Sequence, residues 1–243
     1  MLPSVNEQRY SMSLALLAVI ISRTVQLPNT RLPVDRHGDP LITGEASVLL
    51  HDGLYYFYFN NWGACQGVDC CNSTEGCASC CFKDNDPCVY TSNHSVVVYQ
   101  TDLVHWELLG TALPPSSRVE GVVFRPCVIF NRASSKFVMW YEDRHPGQKG
   151  YAVAISDTPV GPFVTVSNST ALHGQGRSDN SGDFNILVDD DGSAYHVRDG
   201  FVIERLTPDY LRGSGDYALV HPPRPSEGPV LFKRLGLYYL LIR

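Results

Sequence analysis

Val230-Leu-Phe-Lys-Arg-Leu-Gly-Leu-Tyr-Tyr-Leu-Leu-Ile242 reads as an aliphatic strand, a polar turn and an aromatic-rich strand, which is the signature of a β-hairpin. The same plan recurs at Val48-Leu-Leu-His-Asp-Gly-Leu-Tyr-Tyr-Phe-Tyr-Phe59, Val128-Ile-Phe-Asn-Arg-Ala-Ser-Ser-Lys-Phe-Val-Met-Trp140 and Ile186-Leu-Val-Asp-Asp-Asp-Gly-Ser-Ala-Tyr-His-Val197. The first strands start 80, 58 and 44 residues apart, and the longest interval contains a Cys-rich insert. Without that insert the units approach the length of a four-stranded propeller blade. Further strands follow the first three hairpins, at Ser95–Asp102, Trp106–Gly110, Tyr151–Asp157 and Phe201–Leu206, and no amphipathic helix is legible after residue 27. The pattern predicts an all-β fold of repeated antiparallel units.

Three residues ahead of each first strand stand Glu45, Arg125, Asp183 and Glu227. In a blade the first strand runs from one face and the second returns to it. These four residues are therefore expected to ring one face near the centre, with the Cys-rich insert overhanging it. Each has a plainer reading as a turn or solvated residue. Asp189-Asp-Asp-Gly192 invites a calcium reading, but Asp-Gly is hairpin-turn chemistry and the loop lacks the spaced ligands of a calcium motif. His145, His173 and His196 could serve a site or a central ion, although single histidines are more often structural.

The chain has 243 residues, enough for one substantial domain or two small ones, and a net charge of −6 without basic runs. That balance excludes nucleic acid as an expected partner, because no basic patch is available to displace counterions. Most of the 13 tyrosines are expected in the core, though tyrosine also suits stacking on sugar rings.

Met12-Ser-Leu-Ala-Leu-Leu-Ala-Val-Ile-Ile21 is too short to span a bilayer but fits the apolar region of a signal peptide. Residues 1–27 are accordingly expected to be a signal peptide or signal anchor, and residues 28–243 a single domain. A membrane association is expected only if the segment is left uncleaved. Sequons at Asn72, Asn93 and Asn168 agree with secretion. Seven of the eight cysteines fall between Cys65 and Cys88, which in an oxidising compartment reads as a disulfide-stapled loop rather than a zinc site.

Two segments carry a family resemblance. Ser226-Glu-Gly-Pro-Val-Leu-Phe-Lys-Arg-Leu-Gly-Leu-Tyr-Tyr-Leu240 resembles the general-acid segment of glycoside hydrolase family 43, and Gly182-Asp-Phe-Asn-Ile-Leu-Val-Asp-Asp-Asp-Gly-Ser-Ala-Tyr195 resembles the segment bearing its pKa-modulating Asp. Arg125-Pro-Cys-Val-Ile-Phe-Asn131, Phe137-Val-Met-Trp140 and Asp157-Thr-Pro-Val-Gly-Pro-Phe163 are most similar to the exo-β-1,3-galactosidase subgroup. The resemblance runs from about Val34 to Arg243. It implies a five-bladed β-propeller that is C-terminally incomplete, with about three and a half blades present.

The resemblance also implies a secreted enzyme that hydrolyses O-glycosyl bonds of a galactan, arabinan or xylan by inversion. Glu227 would be the general acid, and Asp183 would hold its orientation and raise its pKa. Glu45 would stand at the position of the base, and Arg125 would orient substrate or pair with Asp183 or Glu227. This chain departs from the subgroup at Phe124, where a Glu is usual, and carries Glu45 where a carboxylate is not. The alternative is a catalytically inactive carbohydrate-binding propeller. The expected partner is a polysaccharide or oligosaccharide, the expected state a monomer, and no cofactor is expected beyond room for a central calcium ion.

Overall fold

The computed structural model describes residues 34–41, 45–61, 95–118, 121–145, 148–174, 182–221 and 226–243. The N-terminal segment, the Cys-rich insert and the sequons at Asn72 and Asn93 lie outside them. The described residues form fourteen strands and no α-helix; Pro115–Ser117 makes one turn of 3₁₀-helix. Among them no helix is long and apolar enough to cross a membrane.

Three four-stranded sheets follow the chain as simple antiparallel meanders. The first contains β1 (Ala46–His51), β2 (Leu54–Asn61), β3 (Ser95–Thr101) and β4 (Trp106–Leu113). The second contains β5 (Val122–Asn131), β6 (Lys136–His145), β7 (Gln148–Ser156) and β8 (Val164–Ser167). The third contains β9 (Phe184–Val188), β10 (Ala194–Arg198), β11 (Val202–Leu206) and β12 (Gly213–Leu219). A hairpin of β13 (Val230–Arg234) and β14 (Leu237–Leu241) completes the described set.

The four hairpins expected from sequence all form, but three of the first strands begin earlier than their apolar runs. Glu45 directly precedes β1 and Asp183 directly precedes β9, while Arg125 lies inside β5 rather than ahead of it. Only Glu227 keeps the expected three-residue offset. Sheet pairing extends beyond the hydrophobic stretch wherever a neighbouring strand supplies backbone partners, so hydrophobicity alone sets the boundaries too short. The turns follow their residues. Asp52-Gly53 and Leu235-Gly236 both occupy positive φ in two-residue loops, as the tightest hairpin turns require. The Asp189–Ser193 loop closes on its own backbone, with Gly192 N–H donating to Asp189 O at 3.0 Å.

First strands neighbour one another, β1 against β5, β5 against β9 and β9 against β13, around an open groove. Between the first two sheets the core contains Tyr58, Val98, Met139, Tyr141 and Phe163; between the second and third it contains Trp140, Tyr151, Phe184, Ile186 and Leu206. Polar tips within these layers find fixed partners. Tyr58 O–H donates to Pro159 O at 2.7 Å, and Trp140 Nε1–H donates to Tyr210 O at 2.8 Å. Cys127 belongs to the second layer, where burial pushes its thiol up to about 11, so it stays protonated and unreactive at neutral pH.

His196 is buried in the same layer, stacked on Phe184 at 4.8 Å and edge-on to Tyr151 at 5.0 Å. Burial, with Arg198 adding to it, holds its pKa well below the usual histidine value, so the ring is neutral packing. His173 instead caps a buried pair in the third sheet. Its backbone N–H and Nδ1 each meet Glu204 at 2.8 Å, and Arg198 Nη1 stands 3.2 Å from the same carboxylate. Gly213 lies against that carboxylate so closely that a Cβ there would sit 2.7 Å from Glu204 Cδ and 3.1 Å from Leu172 Cδ2. Gly213→Ala is therefore expected to destabilise the protein by about 1–3 kcal/mol through overpacking, measured as a lower denaturant midpoint at unchanged slope. An unchanged midpoint would show that Glu204 can move aside.

The hairpin β13–β14 is clasped to the third sheet by Lys233, whose Nζ stands 2.5 Å from Asp189 Oδ1 and 2.8 Å from Asp190 Oδ2; Tyr238 O–H also donates to Asp189. Asp189 and Asp190 thus serve a turn and a clasp.

Candidate functional site

The site is built from the starts of the first strands. In β5 the register shifts between Phe124 and Cys127, and Arg125 sits at that bulge with φ 53°. Pro126 follows and has no N–H to give to a ladder. Freed from the ladder, the Arg125 N–H donates to Glu45 Oε2 at 3.1 Å. The Arg125 guanidinium reaches three carboxylates. Nη2 lies 3.3 Å from Glu45 Oε1, Nε pairs with Asp183, and Nη1 pairs with Glu142.

Glu142, on β6, was not singled out by sequence. Its side chain is 0% exposed, against 24–29% for Arg125, Asp183 and Glu45. It also accepts from Arg144 Nε at 2.7 Å and from the Gly182 N–H at 3.1 Å. Asp199 is another member that sequence did not reveal: its Oδ2 accepts the Asp183 N–H at 3.1 Å. The legible signal for Glu142 was the run Glu142-Asp143-Arg144 at the end of an apolar strand, where charge against a core requires pairing.

Glu227 stands on the loop entering β13. Its backbone pairs both ways with Arg243, N–H to O at 3.3 Å and 2.9 Å. The side chain is exposed and, among the described residues, its carboxylate has no hydrogen bond or ion pair. The following residue, Gly228, lies against Asp183: a Cβ there would be 3.6 Å from Asp183 Oδ2. The structure therefore joins Glu45, Arg125 and Asp183 directly and brings Glu227 to their edge.

Burial raises the Glu45 pKa, with Glu142 and Asp183 adding to the rise and Arg125 opposing it. Burial alone would lower the Arg125 pKa, but Glu45, Glu142 and Asp183 outweigh it and hold the guanidinium firmly charged. Phe124 fills the space beneath both arginines, its ring centroid 5.4 Å from Arg125 Cζ and 4.9 Å from Arg144 Cζ. Among the described residues no group of three or more His, Cys, Asp or Glu side chains is arranged to hold a metal ion.

No family profile matches the chain. Over 95 residues it is 30% identical to a β-D-galactofuranosidase of Aspergillus niger, covering 38% of this chain and 28% of that protein. In structure it is similar to an exo-β-1,3-galactanase from Clostridium thermocellum, with a TM-score of 0.65 and 26% identity over 89% of this chain and 45% of that one. An exo-β-1,3-galactanase from Phanerochaete chrysosporium bearing β-1,3-galactotriose gives a TM-score of 0.64 and 23% identity over 88% and 46%. A GH43 β-1,3-galactosidase with galactodeoxynojirimycin gives 0.63 and 23% over 88% and 72%. The chain thus spans under a third of the curated relative, and under half of each of the two galactanases.

Proposed function

We propose that this chain, GH43-like in fold, is a glycoside hydrolase that removes galactose from a galactan by inversion, on a five-bladed propeller. The observation that carries the reading is the meeting of Glu45, Arg125 and Asp183 at one end of the groove, with the loop that bears Glu227 against Asp183. Glu227 is proposed as the general acid that protonates the leaving glycosidic oxygen. Asp183, paired with Arg125, would hold its orientation. Glu45 would activate water on the opposite face, which inversion requires at a carboxyl separation of roughly 6.5–9.5 Å. Arg125 occupies one acceptor direction on each Glu45 oxygen, and each oxygen retains a second for water. The reading includes a secreted protein, supported by the apolar segment Met12–Ile21 and the exposed sequon residue Asn168.

One observation favours a second reading, a carbohydrate-binding propeller without turnover: Arg125 holds both Glu45 oxygens. Galactose release from β-1,3-galactobiose, followed by NMR of the first anomer formed, tests the choice. The inverted anomer is expected. Retention would overturn the mechanism, and a folded full-length protein without turnover on galactosides, xylosides or arabinofuranosides would leave the binding reading.

A base must be ionised, so activity should fall as pH drops through the Glu45 pKa. Because burial raises that pKa, the acidic limb of kcat/KM is expected above pH 4.5, the ordinary glutamate value. Glu45→Gln is expected to lower kcat by about 10²-fold or more and to remove that limb. A variant within about twofold of wild type, well short of a general-base effect, would take Glu45 out of the base role.

A further inference from the structure

We propose that Glu142 is a positioning residue for this site, setting where the Arg125 guanidinium and the Asp183 main chain stand. The kinetic arm of this proposal rests on the reading just given; its spectroscopic arm does not.

A carboxylate withdrawn fully from water is costly unless charges and hydrogen bonds compensate it. Arg144, two residues along the same strand, already supplies one charge at 2.7 Å. Glu142 nevertheless draws in two further donors from elsewhere. Arg125 comes from the bulge of the adjacent strand, and the Gly182 N–H, at 3.1 Å, comes from the segment that leads into the third sheet. These two donors belong to the functional constellation. Arg125 grips Glu45 and Asp183, and Gly182 immediately precedes Asp183.

Consecutive N–H groups at positions 182 and 183 are thus held by two carboxylates from different sheets, Glu142 of the second and Asp199 at the β10–β11 turn of the third. The Asp183 backbone is suspended between them. Tyr151, the cross-strand partner of Glu142 on β7, donates its hydroxyl to Gly182 O at 3.2 Å and fixes the carbonyl end of the peptide group whose N–H belongs to Asp183. Phe124, the partner of Glu142 on β5, lies under both arginines and shields the pairs from water, where ion pairs are stronger. A carboxylate serving only to neutralise Arg144 would need none of these connections. Small displacements at a reacting centre are expensive, since about 1 Å can cost about 10²-fold in rate.

The test uses full-length wild type, Glu142→Gln and Glu142→Asp. Glu142→Gln preserves shape and removes the charge that repels Glu45 and competes for Arg125. The groups facing Glu45 are Arg125, Glu142 and Asp183. Carbon-13 NMR titration of the Glu45 carboxyl should therefore show a lower pKa in the variant. Galactobiose hydrolysis should show kcat reduced by about 10²-fold, with KM changed much less. Glu142→Asp keeps the charge and should recover part of kcat, with melting close to wild type. An unshifted Glu45 titration, or a kcat equal to wild type in a variant whose melting has fallen, would reduce Glu142 to a structural residue. If wild type shows no turnover, the proposed function fails and the titration still decides the role of Glu142. If Glu142→Gln does not fold, Glu142→Asp decides: a selective fall in kcat supports positioning, and a fall in melting alone overturns it.

Discussion

Glu227→Gln is expected to cleave β-1,3-galactobiose about 10³-fold more slowly than wild type, within the range general acid catalysis supplies. Gln has the shape of Glu but no ionisable proton to give to the departing oxygen. The loss should depend on the leaving group. A sugar hydroxyl is a poor leaving group and needs the proton, whereas a nitrophenolate departs without it. Aryl galactosides should therefore lose far less rate than the disaccharide. The side chain is exposed and unpaired among the described residues, so melting should stay at the wild-type value. Equal losses on both substrates, or a loss accompanied by lowered melting, would remove Glu227 from the acid role.

Arg125→Met should act on stability as well as on activity. It leaves Glu142 with no exposure and one fewer charge, and leaves Glu45 and Asp183 facing each other without their shared cation. Removing one partner of a buried ion pair costs about 3–5 kcal/mol. In a chain of this size that corresponds to a fall in melting temperature of roughly 10 °C. Arg125→Lys should recover only part of it, because an ammonium cannot address three carboxylates through a planar fork. Thermal unfolding by circular dichroism checks both, and a Lys variant as stable as wild type would show that charge alone suffices.

The sequence made some elements legible because each gave a strong local signal. Asp52-Gly53 and Leu235-Gly236 announced hairpins, and Glu45, Asp183 and Glu227 were found by their shared offset. β8 and β12 were missed, and both are outer-edge strands: Val164–Ser167 is too short for its alternation to stand out, and Gly213–Leu219 is almost wholly exposed and lacks the apolar alternation that marks a half-buried strand. The partner of Arg125 was open between Asp183 and Glu227, and the structure gives Asp183 together with Glu45 and Glu142. Glu142 stayed hidden for another reason. Its importance comes from two donors remote in sequence, Arg125 and the Gly182 N–H, and no local pattern records which distant groups a buried carboxylate will meet.

The bulge at Arg125 also changes how the strand counts. Val123 and Val128 pack in the same layer, between the first and second sheets, although one position is odd and the other even; Cys127 and Ile129 pack in the other layer. Parity inverts across the bulge. A strand one residue shorter could run as an unbroken ladder and still send apolar side chains to both neighbours. The surplus residue is unnecessary for that division of the core. What it provides is an outlet, a place where a long cationic side chain can leave the alternation and turn toward the groove, so the polar centre of this fold depends on a counting irregularity in one strand.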